Sequence, residues 1–305
     1  MQEITKSLID LVSDVKIGKN DAYNIRENGQ CADRHVTEHI DIVSKKDKPG
    51  IDIIIKPNTK GETVYIPALV THDNVKDLVY NDFYIGENCD IIISAGCGVH
   101  NDGCNTSEHR GIHRFFVGKN AKVLYLEKHV GTGDGTGKRV INPKTEAVIE
   151  EGGYLEMDTV QIGGVDSTNR ECTAELKDNA KLVVKEKIMT DGNQTAKTSF
   201  SVELNGEDSA VNLISRSVAK GNSIQKFESQ INGNNKCSGH SECDAIIMDN
   251  GKVTAVPEIT ANCIDASLIH EAAIGKIAGE QIIKLMTLGL SEKEAEDRIV
   301  QGFME

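Results

Sequence analysis

The alternation of apolar and polar positions is the most informative feature of this chain. Stretches such as Lys122-VLYLEKHV and Lys181-LVVKEKI place apolar residues at every second position, the period of a β-strand with one buried face. Between such stretches a short pattern recurs: an apolar residue, two or three polar residues or glycines, a small or polar residue, then the next strand. It reads Ile85-GENC-Asp90-Ile91, Val117-GKNAK-Val123, Ile149-EEGGY-Leu155, Leu176-KDNAK-Leu182, Leu204-NGEDSA-Val211 and Ile231-NGNNK-Cys237, with starts 32, 32, 27, 28 and 27 residues apart. A further copy, Ile247-MDNGK-Val253, follows 16 residues later. Turn residues Asn, Asp and Gly punctuate every cycle. The economical architecture is a β-solenoid in which each coil buries its apolar side against its neighbours. A flat sandwich would use similar strands.

The two ends follow a different period. Ile4, Leu8, Leu11, Val12 and Val15 lie at helical spacing and predict an N-terminal helix closing near Gly18. From there to about Tyr80 short strands mix with loops. After Cys263 the period becomes 3.6, with Ala273, Ile277, Ala278, Ile282, Leu285 and Met286 on one stripe. Gly289 stands where a left-handed C-cap is favoured, and Ser291 with Glu294 forms an S-x-x-E capping box. Helices over 273–288 and 292–303 are therefore expected to end the chain as a hairpin. The expected division is a helical and mixed region over 1–80, a solenoid core over 81–265 and a helical region over 266–305.

Composition narrows the function. Of 305 residues, 34 are Lys or Arg and 47 Asp or Glu, a formal charge of −13. That balance argues against a nucleic-acid binder, which needs a basic face. The absence of Trp and the 4% of aromatics weaken any reading that needs stacking platforms for bases or sugars. Apolar runs such as Ile53–Ile55 are far short of the ~18 residues a spanning helix needs, so no membrane partner is expected. The N-terminus lacks the pattern of a secretory signal, and a cytoplasmic location follows. There the eight cysteines are expected to be thiols, metal ligands or sulfur carriers rather than a disulfide framework.

Three segments carry candidate chemistry. Gly131-TGDGTGKR looks like a phosphate loop but fails on spacing: Thr132 stands where a glycine is needed and Arg139 follows Lys138. It reads as a turn, so the chain is not expected to bind ATP itself. Cys97, His100, Cys104, His109 and His113 fall within 17 positions and suit zinc or iron by ligand type, though not by any common zinc-finger spacing. The bland alternative is hydrogen-bonded histidines at strand ends. The third segment holds Cys237, His240, Glu242, Cys243 and Asp244, followed by Cys263 and the pair His270-Glu271. Cys243 could equally be a small buried hydrophobe, and Glu271 an acid complementing a helix dipole.

A resemblance shifts that balance. Glu242-CDAIIMD, Val256-PEITANC, Ile269-HEAAIGKI with Glu280-Gln281, and Leu288-GLSEKEAEDRIVQGF together resemble the SufB/SufD family of iron–sulfur cluster scaffold proteins. Leu204-NGEDS followed by Ser215-RSVAKGNS also fits, and positions 85–200 match more loosely. The chain resembles in particular the compact SufB-like proteins of archaea and anaerobic bacteria. The resemblance implies a mainly β protein, a right-handed parallel β-helix flanked by helical regions. It also implies a scaffold role without catalysis of its own, with Cys243 aligned to the scaffold cysteine, Glu271 to a glutamate ligand and His270 to the histidine that SufD contributes.

Because all three occur in one chain, a homodimer could supply both halves of a cluster site, here for a nascent 4Fe–4S or 2Fe–2S cluster. Cys172 lies near the position of the family's sulfur-accepting cysteine. Cys97, His100, Cys104, His109, His113 and Cys237 are further metal or thiol candidates for an additional ion. The implied partners are a SufC-like ABC ATPase, through which alone ATP would act, a cysteine desulfurase or sulfide, and apo iron–sulfur proteins as acceptors. Leu288, Leu290 and Phe303 would face the ATPase from helices directly continuous with His270 and Glu271. The rival readings are a metal-binding solenoid interaction protein and a β-helix polysaccharide lyase or hydrolase. The latter needs paired acids and stacking aromatics in a groove, against which the lack of Trp counts.

Overall fold

Strands with one apolar face must find a second layer to cover it, and the computed structural model meets this need by coiling the chain into a parallel β-solenoid of about eight turns. It describes residues 3–13, 17–18 and 21–305. Two ten-stranded sheets enclose the lumen. In the first, Lys60–Val70, Asp90–His100, Lys122–Thr132, Tyr154–Ile162, Lys181–Thr190, Ser209–Ala219, Cys237–Ile247 and Ala266–Gly275 lie side by side in chain order, all parallel. The intervening strands form the second sheet, from Lys76–Ile85 and Ser107–Val117 through Ser167–Leu176 to Lys252–Ala261. The apolar part of the lumen holds a long core running from Ala22 to Cys243 and a smaller cluster of Val70, Cys97, Val99, Ile141 and Val165. Phe83 stacks on Phe115 with ring centroids 4.5 Å apart, and Tyr125 meets Phe115 edge-on.

The recurring turns seen in the sequence have a specific cause. Asn58, Asn88, Asn120, Gly152, Asn179 and Asp208 all hold positive φ, between 54° and 66°. Each donates its amide N–H to the turn carbonyl of the next coil: to Glu87, Lys119, Glu151, Asp178, Glu207 and Lys236, at 2.7–3.0 Å. A left-handed backbone costs ordinary residues ~1–2 kcal/mol, which Gly avoids and Asn or Asp tolerate. The repeat is therefore written in turn residues as much as in strands.

The first end of the solenoid is closed. Antiparallel pairing of Ala22–Glu27 with Gln30–His35, and of Ile40–Ser44 with Gly50–Ile55, finishes the two sheets there. Helix α1 (Glu3–Val12) buries Leu8 and Val12 against Ile25 and Leu69. It crosses the outer wall over Gly96 and Gly98. A Cβ at Gly96 would come within 2.5 Å of the Val12 carbonyl oxygen. α1 ends at Val12; Val15, expected on its stripe, lies outside the described residues.

The C-terminal segment departs from expectation. Residues 266–275 are not helical: Ala266–Gly275 is the last strand of the first sheet, and α2 (Gly279–Thr287) begins beyond it. His270 and Glu271 therefore sit on a strand, not on a helix. The preceding strand offers a free hydrogen-bonding edge, and pairing along it outweighs the local 3.6 pattern. The expected Gly289 cap (φ 97°) and the Ser291–Glu294 capping box are both present, the latter opening α3 (Glu292–Met304). α3 lies on the outside of the first sheet, burying Val300 and Met304 against Val218 with Met189 and Ile246. Among the described residues no helix is long and apolar enough to cross a membrane.

Candidate functional site

The ligands singled out at the C-terminal end lie on the last two strands of the first sheet. Register sets Ser241 beside His270, Glu242 beside Glu271 and Cys243 beside Ala272. Side-by-side residues of a parallel pair share a face, and successive residues alternate. Cys243 and His270 therefore share the inner face with buried Ser241, whereas Glu271 stands on the outer face with Glu242 and His240. The structure thus brings Cys243 and His270 to one face and puts Glu271 on the other.

The inner pair offers soft and borderline donors. Cys243 is 1% exposed. Burial, reinforced by the Glu186 and Asp244 carboxylates, pushes its thiol up to about 12. It keeps its proton at neutral pH unless a cation compensates the charge. Glu186 accepts from Ser215, the strand neighbour of Cys243, at 3.0 Å. The Nδ1 atom of His270 is buried with no hydrogen-bond partner.

On the outer face His240 Nε2 lies 2.6 Å from Glu271 Oε1, and its Nδ1 lies 2.9 Å from Asn212 Oδ1. His240, Glu242 and Glu271 present ligand atoms all within 4.8 Å of one another. Burial and then the neighbouring Asp244 raise the Glu242 carboxyl, a tension that a bound divalent cation would relieve. The two strands that end the sheets, Lys252–Ala261 and Ala266–Gly275, have unpaired edges, and Val256, Ile259, Ile269 and Ile274 are exposed there. Exposed apolar edges are pairing surfaces.

The other candidates separate. Cys97, His109 and His113 point into the lumen. His100 turns away to Thr132 and Asp102, and Cys104 is exposed, so the five-residue group is not one site. Cys172 and Cys237 are buried, and burial pushes Cys172 up to about 12. The glycine-rich segment is a connection stacked on the preceding coil, Gly135 and Gly137 donating to the Asn101 and Gly103 carbonyls. Leu288 is 74% exposed and α2 buries none of its residues, whereas Phe303 packs inward on the α3 contact.

Sequence reasoning missed the charged groups of the lumen. Arg170 donates to Glu127 at 2.6 Å and sits 3.6 Å from Glu186. Asp77 is clamped by Arg26 and lies 3.0 Å from His109 Nδ1. The repeat itself held the signal. Asp77 and His109 are 32 residues apart, as are Cys97 and His129, so each pair falls side by side on adjacent coils.

A family model described as SUF system FeS cluster assembly, SufBD core domain, matches residues 84–303. An iron–sulfur cluster assembly SufBD family protein of Archaeoglobus fulgidus is 32% identical over 261 residues, covering 85% of this chain and 69% of its own. One from Methanocaldococcus jannaschii is 29% identical over 255 residues, covering 83% and 79%. Another, from Methanothermobacter thermautotrophicus, is 26% identical and covers 76% and 56%. The matched core spans both the solenoid and the C-terminal helices, and the chain belongs to the SufBD family, with a role in iron–sulfur cluster assembly.

Proposed function

We propose that this chain is the scaffold on which a nascent iron–sulfur cluster is built, and that it works as a homodimer joined through its last coils. The observation that carries the reading is that Cys243 and His270 share the inner face of the last two strands of the first sheet, beside an unpaired edge. Thiolate is the donor a cluster needs, and imidazole or carboxylate can complete iron coordination while leaving a labile corner. A labile corner suits a cargo that must be handed to acceptor proteins. Glu271, behind the same strand, would join the inner ligands where the edge opens or a second copy approaches.

Cys172 is the proposed sulfur-accepting cysteine: it takes sulfane sulfur from the persulfide of a cysteine desulfurase, whose own cysteine leaves as the thiol, whereas sulfide, where it is the source, goes directly to iron at the cluster site. Its burial means that sulfur reaches it only after local opening. ATP is hydrolysed on a separate SufC-like ABC ATPase, docked on the face of α2 where Ile283, Met286 and Leu288 are exposed, with Leu290 beside them.

Anaerobic reconstitution with ferrous iron and sulfide, read by absorbance and Mössbauer spectra, tests the assignment. Cys243→Ser is expected to abolish the cluster and Cys31→Ser to retain it. Equal cluster content in wild type and Cys243→Ser overturns it.

A further inference from the structure

The closed end of the solenoid holds a second donor set, on different coils from the first. Cys97 and His129 are register partners in the first sheet, and His109 faces them from the second. All three are at most 4% exposed. The Nε2 atoms of His109 and His129 are both buried without a hydrogen-bond partner, an arrangement that native interiors rarely leave standing.

The surroundings are those of a ligand sphere. His109 Nδ1 is engaged by Asp77, itself held by Arg26 Nη2 at 2.6 Å, the carboxylate support that ligating histidines usually have. Glu127, clamped by Arg170, lies beside the donor atom itself, 3.4 Å from His129 Nε2 and short of a hydrogen bond. Arg170 Nη2 donates to His129 Nδ1 at 3.4 Å, a long, weak bond that metal binding at Nε2 would have to give up. Space is kept clear by Gly111, where a Cβ would lie 3.4 Å from His109 Nε2 and 2.9 Å from His113 Nε2.

We propose that Cys97, His109 and His129 bind one divalent transition-metal ion, zinc or ferrous iron by donor type, as a resident staple between the two sheets. One thiolate and two imidazoles suit either ion. Unlike the outer His240 triad, the three donors do not all lie within 4.8 Å of one another, so binding draws the side chains inward across the lumen. Enclosure by α1 and the first hairpins makes this a structural site rather than a loading site. It is independent of the cluster assignment and stands or falls separately.

The test uses the full chain, purified without reconstitution from cells grown with zinc and iron, then stripped with chelator and titrated with cobalt(II). The expected result is about one metal per chain in wild type and in Cys243→Ser, with a thiolate-to-cobalt charge-transfer band on titration. Cys97→Ser is expected to lose that band, and Asp77→Asn to bind ~10–100-fold more weakly. His129→Gln, which keeps the thiol, guards against misfolding of the cysteine variant; with an unchanged circular dichroism spectrum it should show the same loss of metal. Wild-type protein with neither metal nor band, a band that survives in Cys97→Ser, or a band lost in Cys243→Ser overturns the proposal.

Discussion

Cys97 and Cys243 occupy the inner face of the same sheet near opposite ends of one lumen, and both are buried. Their chemistry nevertheless diverges. At the closed end two imidazoles hold the Cys97 thiol down to about 7, whereas at the open end burial with Glu186 and Asp244 pushes Cys243 up to about 12. Burial alone therefore does not set a cysteine's role; the charges placed around it do. A solenoid makes this easy to arrange, since each coil places its side chain about 4.8 Å from the next.

The largest predicted effect comes from breaking the charged region. Arg170→Leu leaves Glu127 and part of Glu186 without a partner, and should cost ~3–5 kcal/mol in denaturant unfolding. A Cys243→Ser variant should unfold close to wild type. Equal stability of wild type and Arg170→Leu would show that the lumen is wetter than its burial implies.

Acid sharpens the same contrast. Burial raises the Glu127 carboxyl, but Arg170 and then His129 outweigh it and hold it well below the usual carboxylate range. A depressed carboxylate stabilises fully above its unfolded pKa, roughly 4.3. That stabilisation fades as pH falls toward the folded value. The stability gap between wild type and Glu127→Gln is therefore expected to narrow as pH falls from 5 towards 3, below the range in which the coupled His129 titrates. A gap that widens in acid would contradict the sign.

Smaller effects test the frame that both ends share. Asn179→Ala forces a left-handed turn on a residue that resists it and should cost about 1 kcal/mol, whereas Asn179→Gly should be nearly neutral. At the exposed end, Leu288→Asp should leave the melting temperature unchanged yet abolish co-purification with the proposed ATPase partner. Retained co-purification would move the docking surface elsewhere.

What could be read from the sequence followed physical distance along the chain. Turn residues, strand alternation and the Ser291–Glu294 cap are local, and each was legible. The group Cys97, His100, Cys104, His109 and His113 misled because closeness in sequence is not closeness in a solenoid. The partners of Cys97 and His109 lie one coil away, at His129 and Asp77. Cys243 and Glu271 were legible as chemistry, but the alternation that puts them on opposite faces required the register. The strand Ala266–Gly275 was hidden because its inner face holds only the half-buried Ala266, Leu268 and His270, too short an alternation to stand out beside the helical stripe.

The packing of α3 has a mechanical consequence. By resting on Met189, Val218 and Ile246 it bolts three neighbouring coils together from outside, but the edge strand Ala266–Gly275 is held in its sheet by a ladder on one side only. A tug along the chain from α2 would load that ladder one rung at a time, like opening a zip. The bolted coils would share the same force across many rungs. Compliance is thus concentrated in the strand that carries His270 and Glu271, and the rest of the molecule serves as its stiff anchor.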